Sequence, residues 1–327
     1  MYIEDLKFSL WADFIERDFL DGRFRELIDE GVVNGATSNP AIFKNAILTS
    51  RAYKEQLASL SSLSPKERYE AVAVYDIQKA ADILRPLFDR GDDGYVSIEV
   101  DPFLCDDAEA TIDEGRRLYS LIGRPNVMFK VPATAAGYIA METLSAEAIP
   151  VNATLVFSKE QALSCADAFE RAQEKAGRAS ESVISIFVSR FDRALDDELE
   201  SKGIKPSLTG IYNAAAIYNA VEAKGLQGCR VLFASTGVKG DTLEPFYYIK
   251  GLLAPNSVNT APVATIEAYI NSRSRSAVLP IDEKVIKAHF DAVADAGIVF
   301  DSVVQSQIDD GLSSFKDAFT DILTALE

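Results

Sequence analysis

Histidine is almost missing from this chain, since His289 is the only one in 327 residues. Without a group of imidazoles the sequence cannot assemble a histidine-rich transition-metal site or a Ser-His-Asp hydrolytic triad, so proton transfer falls to carboxylates, lysines or tyrosines. His289 lies in an amphipathic stretch, Asp282 to Ala296, and reads as a residue on a helix face. Cysteine is scarce as well. Cys105, Cys165 and Cys229 are odd in number and show no CxxC spacing, which speaks against a disulfide framework or a structural zinc site and fits a reducing cytoplasm. No apolar run approaches membrane-spanning length, and Met1 to Leu6 lack the basic-then-apolar order of an export signal, so the chain reads as soluble and unexported. Positive charge is in deficit: 33 Lys and Arg stand against 50 Asp and Glu, a net charge of −17. Long-range repulsion then disfavours nucleic acid and anionic membranes as partners, and any phosphate ligand must be held by a local basic pocket.

Nothing in the sequence divides it: no Pro/Gly/Ser-rich linker, internal repeat or low-complexity tract interrupts it, and residues 1–327 read as one domain. At 48% apolar composition it can bury a large core. Short apolar runs rich in β-branched residues recur at Phe8–Trp11, Gly35–Ser38, Val96–Val100, Val127–Val131, Ile149–Val156, Val183–Val188, Arg230–Ala234 and Ser257–Thr260. They lack strict alternation, as strands buried on both faces do. Helical patterns with readable caps lie between most of them. Ser64-Pro65-Lys66-Glu67 and Ser158-Lys159-Glu160-Gln161 are capping boxes, the first with proline at the first helical position, and Gly177 stands where the second helix should stop. Strands alternating with helices predict parallel pairing, and eight such strands without a GxGxxG after the first predict a closed (β/α)8 TIM barrel over an open dinucleotide-binding sheet. The interval between the second and third strands has room for an additional helix, and the residues after the eighth read as extra helices.

Active sites of such barrels form at the C-terminal ends of the strands. Of the residues there, Lys130 in Val127-Met128-Phe129-Lys130-Val131-Pro132 is the most informative. A charged amine inside an apolar run costs several kcal/mol, so this lysine must be paired or neutral. A neutral amine is a nucleophile that can attack a ketone, and the resulting iminium withdraws electrons from the neighbouring carbon–carbon bond. The alternative is a lysine ion-paired with Glu99 and nothing more. Glu99 precedes Lys130 by one strand–helix period, which sets the two on adjacent strands, where amine and carboxylate can share a water. Thr154, one strand further on, can help hold that water; Glu99 can instead cap the following helix. Asp13 follows the first strand and offers a base for the sugar hydroxyl beside a breaking bond, or else a turn aspartate.

Six strand-end segments in order resemble the transaldolase family: Leu10-Trp11-Ala12-Asp13, Gly35-Ala36-Thr37-Ser38-Asn39-Pro40, Ile98-Glu99-Val100-Asp101, Phe129-Lys130-Val131-Pro132-Ala133-Thr134, Asn152-Ala153-Thr154-Leu155-Val156-Phe157-Ser158 and Ile184-Ser185-Ile186-Phe187-Val188-Ser189-Arg190. The resemblance extends over most of the chain and implies a class I aldolase-like barrel of the pentose phosphate pathway in the cytoplasm, a monomer or homodimer. The implied reaction moves a dihydroxyacetone unit from fructose 6-phosphate or sedoheptulose 7-phosphate to erythrose 4-phosphate or glyceraldehyde 3-phosphate, with no metal and no cofactor. It further implies that Lys130 forms the Schiff base, that Asp13 is base in cleavage and acid in bond formation, and that Glu99 works through a water positioned by Thr154. Asn39 and Asn152 bind donor hydroxyls, Thr37 and Ser185 line the pocket, Phe187 walls off the enamine and Arg190 grips phosphate. Some members carry a second arginine after the seventh strand, where this chain reads Ala234-Ser235-Thr236-Gly237-Val238-Lys239. Ser235 can donate to phosphate there, and Lys239 is either the arginine's substitute or a solvated surface lysine. Two other readings compete: a fructose-6-phosphate aldolase-like lyase that releases free dihydroxyacetone, and a non-catalytic sugar-phosphate-binding barrel.

Overall fold

The structure, a computed structural model, describes residues 2–272 and 274–327. Its strands are β1 (Ser9–Ala12), β2 (Gly35–Thr37), β3 (Tyr95–Glu99), β4 (Val127–Pro132), β5 (Val151–Val156), β6 (Ser182–Phe187), β7 (Cys229–Ala234) and β8 (Ser257–Ala261). They pair in parallel in chain order, and β8 closes on β1. Every strand residue is buried, because helices cover the outside and side chains fill the inside, and this is why the runs show no alternation. The expected barrel is therefore the observed one, with boundaries moved by a residue or two. Ile149 and Pro150 precede β5 instead of opening it; the Pro150 carbonyl still accepts from Phe129 N, but proline has no N–H to give to a ladder.

The caps behave as their residues require. Ser64 Oγ accepts from Glu67 N while the Glu67 carboxylate accepts from Ser64 N at the start of helix Pro65–Asp89. Ser158 and Gln161 repeat the exchange at helix Lys159–Ala176, which ends on Gly177 at φ 66°, a conformation glycine adopts without strain. Between β2 and β3 lie three α-helices, Pro40–Thr49, Lys54–Ser59 and Pro65–Asp89, and three more follow β8, namely Val263–Ile270, Glu283–Asp295 and Phe300–Ala325. His289 faces inward from the second of these, its Nε2 2.9 Å from Thr209 Oγ1, as a helix-face residue should.

The barrel interior is apolar at one end and polar at the other. Trp11, Met128, Val183, Leu232 and Val258 form one buried cluster. Trp11 Nε1 donates to Asp93 Oδ2 at 3.0 Å, and Asp93 Oδ1 takes Arg230 at 2.6 Å, so both oxygens of this buried carboxylate are engaged. Toward the C-terminal ends of the strands the wall becomes hydroxyls, amides, carboxylates and one amine. The last helix, Phe300–Ala325, returns across that mouth. It approaches closely because position 311 is glycine: a Cβ there would meet Leu155 at 3.0 Å, Phe157 at 3.4 Å and the Arg190 guanidinium at 3.5 Å.

Candidate active site

Glu99 and Lys130 are register partners on β3 and β4, as their spacing predicts. Only 6% of Lys130 and 8% of Glu99 is exposed, so neither charge is solvated by bulk water. Lys130 Nζ donates to the Ser38 carbonyl at 2.8 Å and lies 3.0 Å from Glu99 Oε1. The buried amine is thus paired, which answers the burial penalty without deciding its chemistry. Glu99 caps nothing; Asp101 and Asp107 make the caps that follow β3. Burial pushes the Glu99 carboxyl up to about 7, against the opposing pull of Lys130. Apart from that ion pair, both Glu99 oxygens and Thr154 Oγ1 are buried without a directional hydrogen bond among the described residues. Thr154 sits at a bulge: β5 carries one extra residue against β6 between Ala153 and Val156, and Leu155 takes φ 55° there. Such a bulge re-aims side chains beside a site, and Thr154 lines the cavity.

Asp13 stands just past β1, its N–H held by the Ala261 carbonyl. It accepts from Thr37 Oγ1 at 2.7 Å, and Thr37 Oγ1 lies 2.6 Å from Thr260 Oγ1. Burial raises the Asp13 carboxyl above its ordinary value, while Lys130 and the Thr37 hydroxyl pull it back. Asn39 is the N-cap of helix Pro40–Thr49: its Oδ1 accepts from Ile42 N, which fixes the amide and leaves the Nδ2 donors for a ligand. Asn152 is fully buried; its Nδ2 donates to Ser97 Oγ and its Oδ1 accepts from Ser185 Oγ at 2.6 Å.

These side chains surround a cavity of about 240 Å³. Asp13, Thr37, Asn39, Lys130, Thr154, Ser185, Phe187, Arg190 and Ser235 all line it. Glu99 and Asn152 contact it only through the residues they hold. Arg190 forms no ion pair among the described residues; its guanidinium stacks over Phe187 at 5.1 Å and Phe157 at 5.7 Å, so its donors stay free for an anion. Ser235, at φ 56°, lies 3.1 Å from Ser189 by their hydroxyls. Lys239 is not brought to the cavity and is exposed. Thr236 Oγ1 ties the segment to Asn259 Oδ1 and the Thr260 carbonyl, and Gly237 packs on Pro262, which carries the chain away before residue 239. Besides Ala41 and Ala234, three larger lining residues were not anticipated. Thr260 was visible as a hydroxyl at the end of the eighth run, whereas Ser314 and Phe315 belong to a helix whose crossing of the mouth leaves no local mark. A larger hollow of about 440 Å³ by Tyr75 and Arg124 is on the outer helices, and of its three basic residues Lys79 and Arg124 are already paired with Asp21 and Asp82, which leaves Arg25. No helix of the described residues is long and apolar enough to cross a membrane.

Residues 10–326 match the family described as transaldolase/fructose-6-phosphate aldolase. A Campylobacter jejuni (strain RM1221) protein named transaldolase is 44% identical over 335 residues, covering 98% of this chain and 99% of its own. Proteins of the same name from Helicobacter pylori are 41% identical over 320 residues (strain Shi470; 98% and 99%) and 40% identical over 318 residues (strain P12; 97% and 98%).

Proposed function

The chain belongs to the transaldolase/fructose-6-phosphate aldolase family and acts as a transaldolase, and from that premise we propose how the residues of its cavity carry the reaction. The Lys130 amine adds to the ketone carbon of a ketose phosphate such as fructose 6-phosphate or sedoheptulose 7-phosphate. Glu99, protonated, passes a proton through a water held with Thr154 to the carbinolamine hydroxyl, which leaves as water and yields the iminium. Asp13 takes the proton from the hydroxyl on the far carbon of the bond to be broken, and that carbon becomes the aldehyde. That bond's electrons move into the iminium to give an enamine, and the shortened aldose phosphate departs. The enamine carbon then attacks the carbonyl of glyceraldehyde 3-phosphate or erythrose 4-phosphate, Asp13 returns its proton to the new alkoxide, and water hydrolyses the imine. The iminium is itself the electron sink, so the scheme needs no cofactor.

Other residues hold the substrate in this scheme. Arg190 and Ser235 bind phosphate, Asn39 binds a donor hydroxyl, Thr37 and Ser185 set the walls, and Asn152, expected to bind a donor hydroxyl itself, instead acts from behind the wall by orienting the Ser185 hydroxyl. Phe187 offers an aromatic face with no exchangeable proton beside the enamine, which favours transfer over release. What supports the reading most is one juxtaposition: a buried amine 3.0 Å from a carboxylate with no other partner among the described residues, at the edge of a cavity that also holds a second carboxylate and an unpaired guanidinium. Three free, buried cysteines and an acidic composition fit a cytoplasmic enzyme of sugar-phosphate metabolism.

Two measurements test it. Borohydride with fructose 6-phosphate should fix an adduct on Lys130, and Lys130→Met should abolish both the adduct and turnover; undiminished trapping in that variant removes Lys130 from the mechanism. Glyceraldehyde 3-phosphate should form from fructose 6-phosphate at a useful rate only when erythrose 4-phosphate is present. Equal rates without the acceptor would mark a lyase.

A further inference from the structure

Thr260 carries no role in the scheme above, yet its hydroxyl is one end of a buried three-member chain. Thr260 Oγ1 lies 2.6 Å from Thr37 Oγ1, and Thr37 Oγ1 lies 2.7 Å from Asp13 Oδ1. The members come from β8, β2 and the end of β1. Strand β1 runs between the other two, Trp11 pairing with Thr260 on one side and with Gly35 on the other. The two hydroxyls therefore meet across β1 at the level where Asp13 leaves it.

Counting protons sets the direction of this chain. An ionised carboxylate only accepts, and each hydroxyl owns one proton. Once Thr37 gives its proton to Asp13, the contact between the two threonines can be made only by Thr260 donating to Thr37. Thr37 is 1% exposed and Thr260 4% exposed, so both bonds lie out of bulk solvent at the cavity wall, and each donor polarises the next. Thr260 Oγ1 has no other side-chain partner among the described residues, and Thr236 is bound to the Thr260 carbonyl, not to its hydroxyl. Strand pairing at this position makes no use of the hydroxyl, and valine would fill the same volume.

We propose that Thr260 is a positioning residue for carbon–carbon bond cleavage: by donating to Thr37 it commits the Thr37 proton to Asp13 and holds that carboxylate ionised and aimed into the cavity until it takes the substrate's hydroxyl proton. The inference rests on the reading of Asp13 as the base of cleavage. No bond to Thr260 is made or broken; the proton that reaches Asp13 is the one it later returns to the alkoxide of the product. Two charged groups also act on Asp13, Lys130 from β4 and Glu99 from β3, and both are unchanged by a substitution in β8. A donor chain favours the ionised form, so removing its far end shifts Asp13 ionisation to higher pH.

The test separates cleavage from Schiff-base formation. Borohydride trapping during single turnover with fructose 6-phosphate gives a six-carbon adduct before cleavage and a three-carbon adduct after it, distinguished by mass. In Thr260→Val the six-carbon adduct should form at the parent rate. Its conversion to the three-carbon adduct should be about threefold slower on the acid side, with the pH midpoint raised by about half a unit. Thr260→Ser should restore both. In a Thr37→Val background Thr260→Val should cost nothing further, because the effect passes through Thr37. Thr260→Cys, with a weak donor of similar size, serves the same comparison if the valine chain does not fold. An unmoved midpoint, or a loss that adds in full to that of Thr37→Val, overturns the proposal. Absence of any adduct in the unsubstituted chain would instead overturn the Schiff-base reading, and that is seen before any variant is compared.

Discussion

Gly35→Ala is the substitution whose cost can be worked from the structure alone. Gly35 lies opposite Trp11 in the β1–β2 ladder, and a Cβ on it would stand 2.7 Å from three atoms of the indole ring. The backbone at Gly35 does not have the positive φ that would itself oppose alanine, so the unfolded-chain benefit of replacing glycine, about 0.4–1 kcal/mol, applies in full. Against it stands a rigid, fully buried ring enclosed by the barrel floor. Overpacking of this kind costs about 1–3 kcal/mol. Pushing the indole also loosens Trp11 Nε1 from Asp93, whose second oxygen holds the buried Arg230, and a weakened buried hydrogen bond of this sort adds about 1–2 kcal/mol. The steric and polar terms exceed the entropic one, leaving a net loss of about 2–4 kcal/mol and, for a chain of this length, a fall in Tm of about 3–6 °C. Trp11 is the only tryptophan, so fluorescence reports this site and no other. The variant should show a shifted emission maximum in the native state and an earlier unfolding transition, while turnover per folded molecule changes little, because the contact lies below the catalytic wall. An unchanged Tm together with unchanged emission would refute the claim that glycine is required here by the approach of the indole.

Phe187→Tyr should raise acceptor-independent release of dihydroxyacetone from fructose 6-phosphate by about tenfold, since it brings an exchangeable proton to the cavity wall; purified, folded variant with release no higher than the parent would remove the shielding role. Arg190→Met should raise KM for fructose 6-phosphate by about 100-fold, the worth of a charge-assisted pair, and leave borohydride trapping of unphosphorylated dihydroxyacetone unaltered; equal loss with both ligands would mean that Arg190 supports the fold of the mouth and not phosphate binding. Because burial raises the Glu99 carboxyl to about 7, the acid that expels the carbinolamine hydroxyl is present below that pH and lost above it. Adduct formation at saturating ketose should accordingly slow as pH rises through about 7, and Glu99→Gln should be slow throughout; a rate that climbs steadily with pH in the parent would deny Glu99 the role of proton donor.

Much of this protein follows from local chemistry. Strands buried on both faces need apolar runs without alternation, and capping boxes at Ser64 and Ser158 begin helices wherever they occur, so eight strand–helix units and their closure can be read along the chain. Lys130 is conspicuous for a similar reason: a charge in the middle of such a run must be compensated by something, and one strand–helix period back stands Glu99. Residues whose role depends on who faces them are a different matter. That the Asn152 amide is fixed by two serines, or that Lys239 is drawn off by Thr236 and Gly237, depends on contacts between segments distant in sequence.

The division is physical. Periodicity, burial preference and capping are properties of neighbouring residues, and by themselves they determined the barrel, its strand order and the strand ends where polar groups collect. Tertiary structure decided what those groups do to one another: the bulge that turns Thr154 to the cavity, the hydroxyl of Thr260 reaching Thr37 across β1, and the helix Phe300–Ala325 laid over the mouth through the bare face of Gly311. A distance of 2.6 Å between side chains 223 residues apart is set by closure of the barrel, and no local pattern in either segment encodes it.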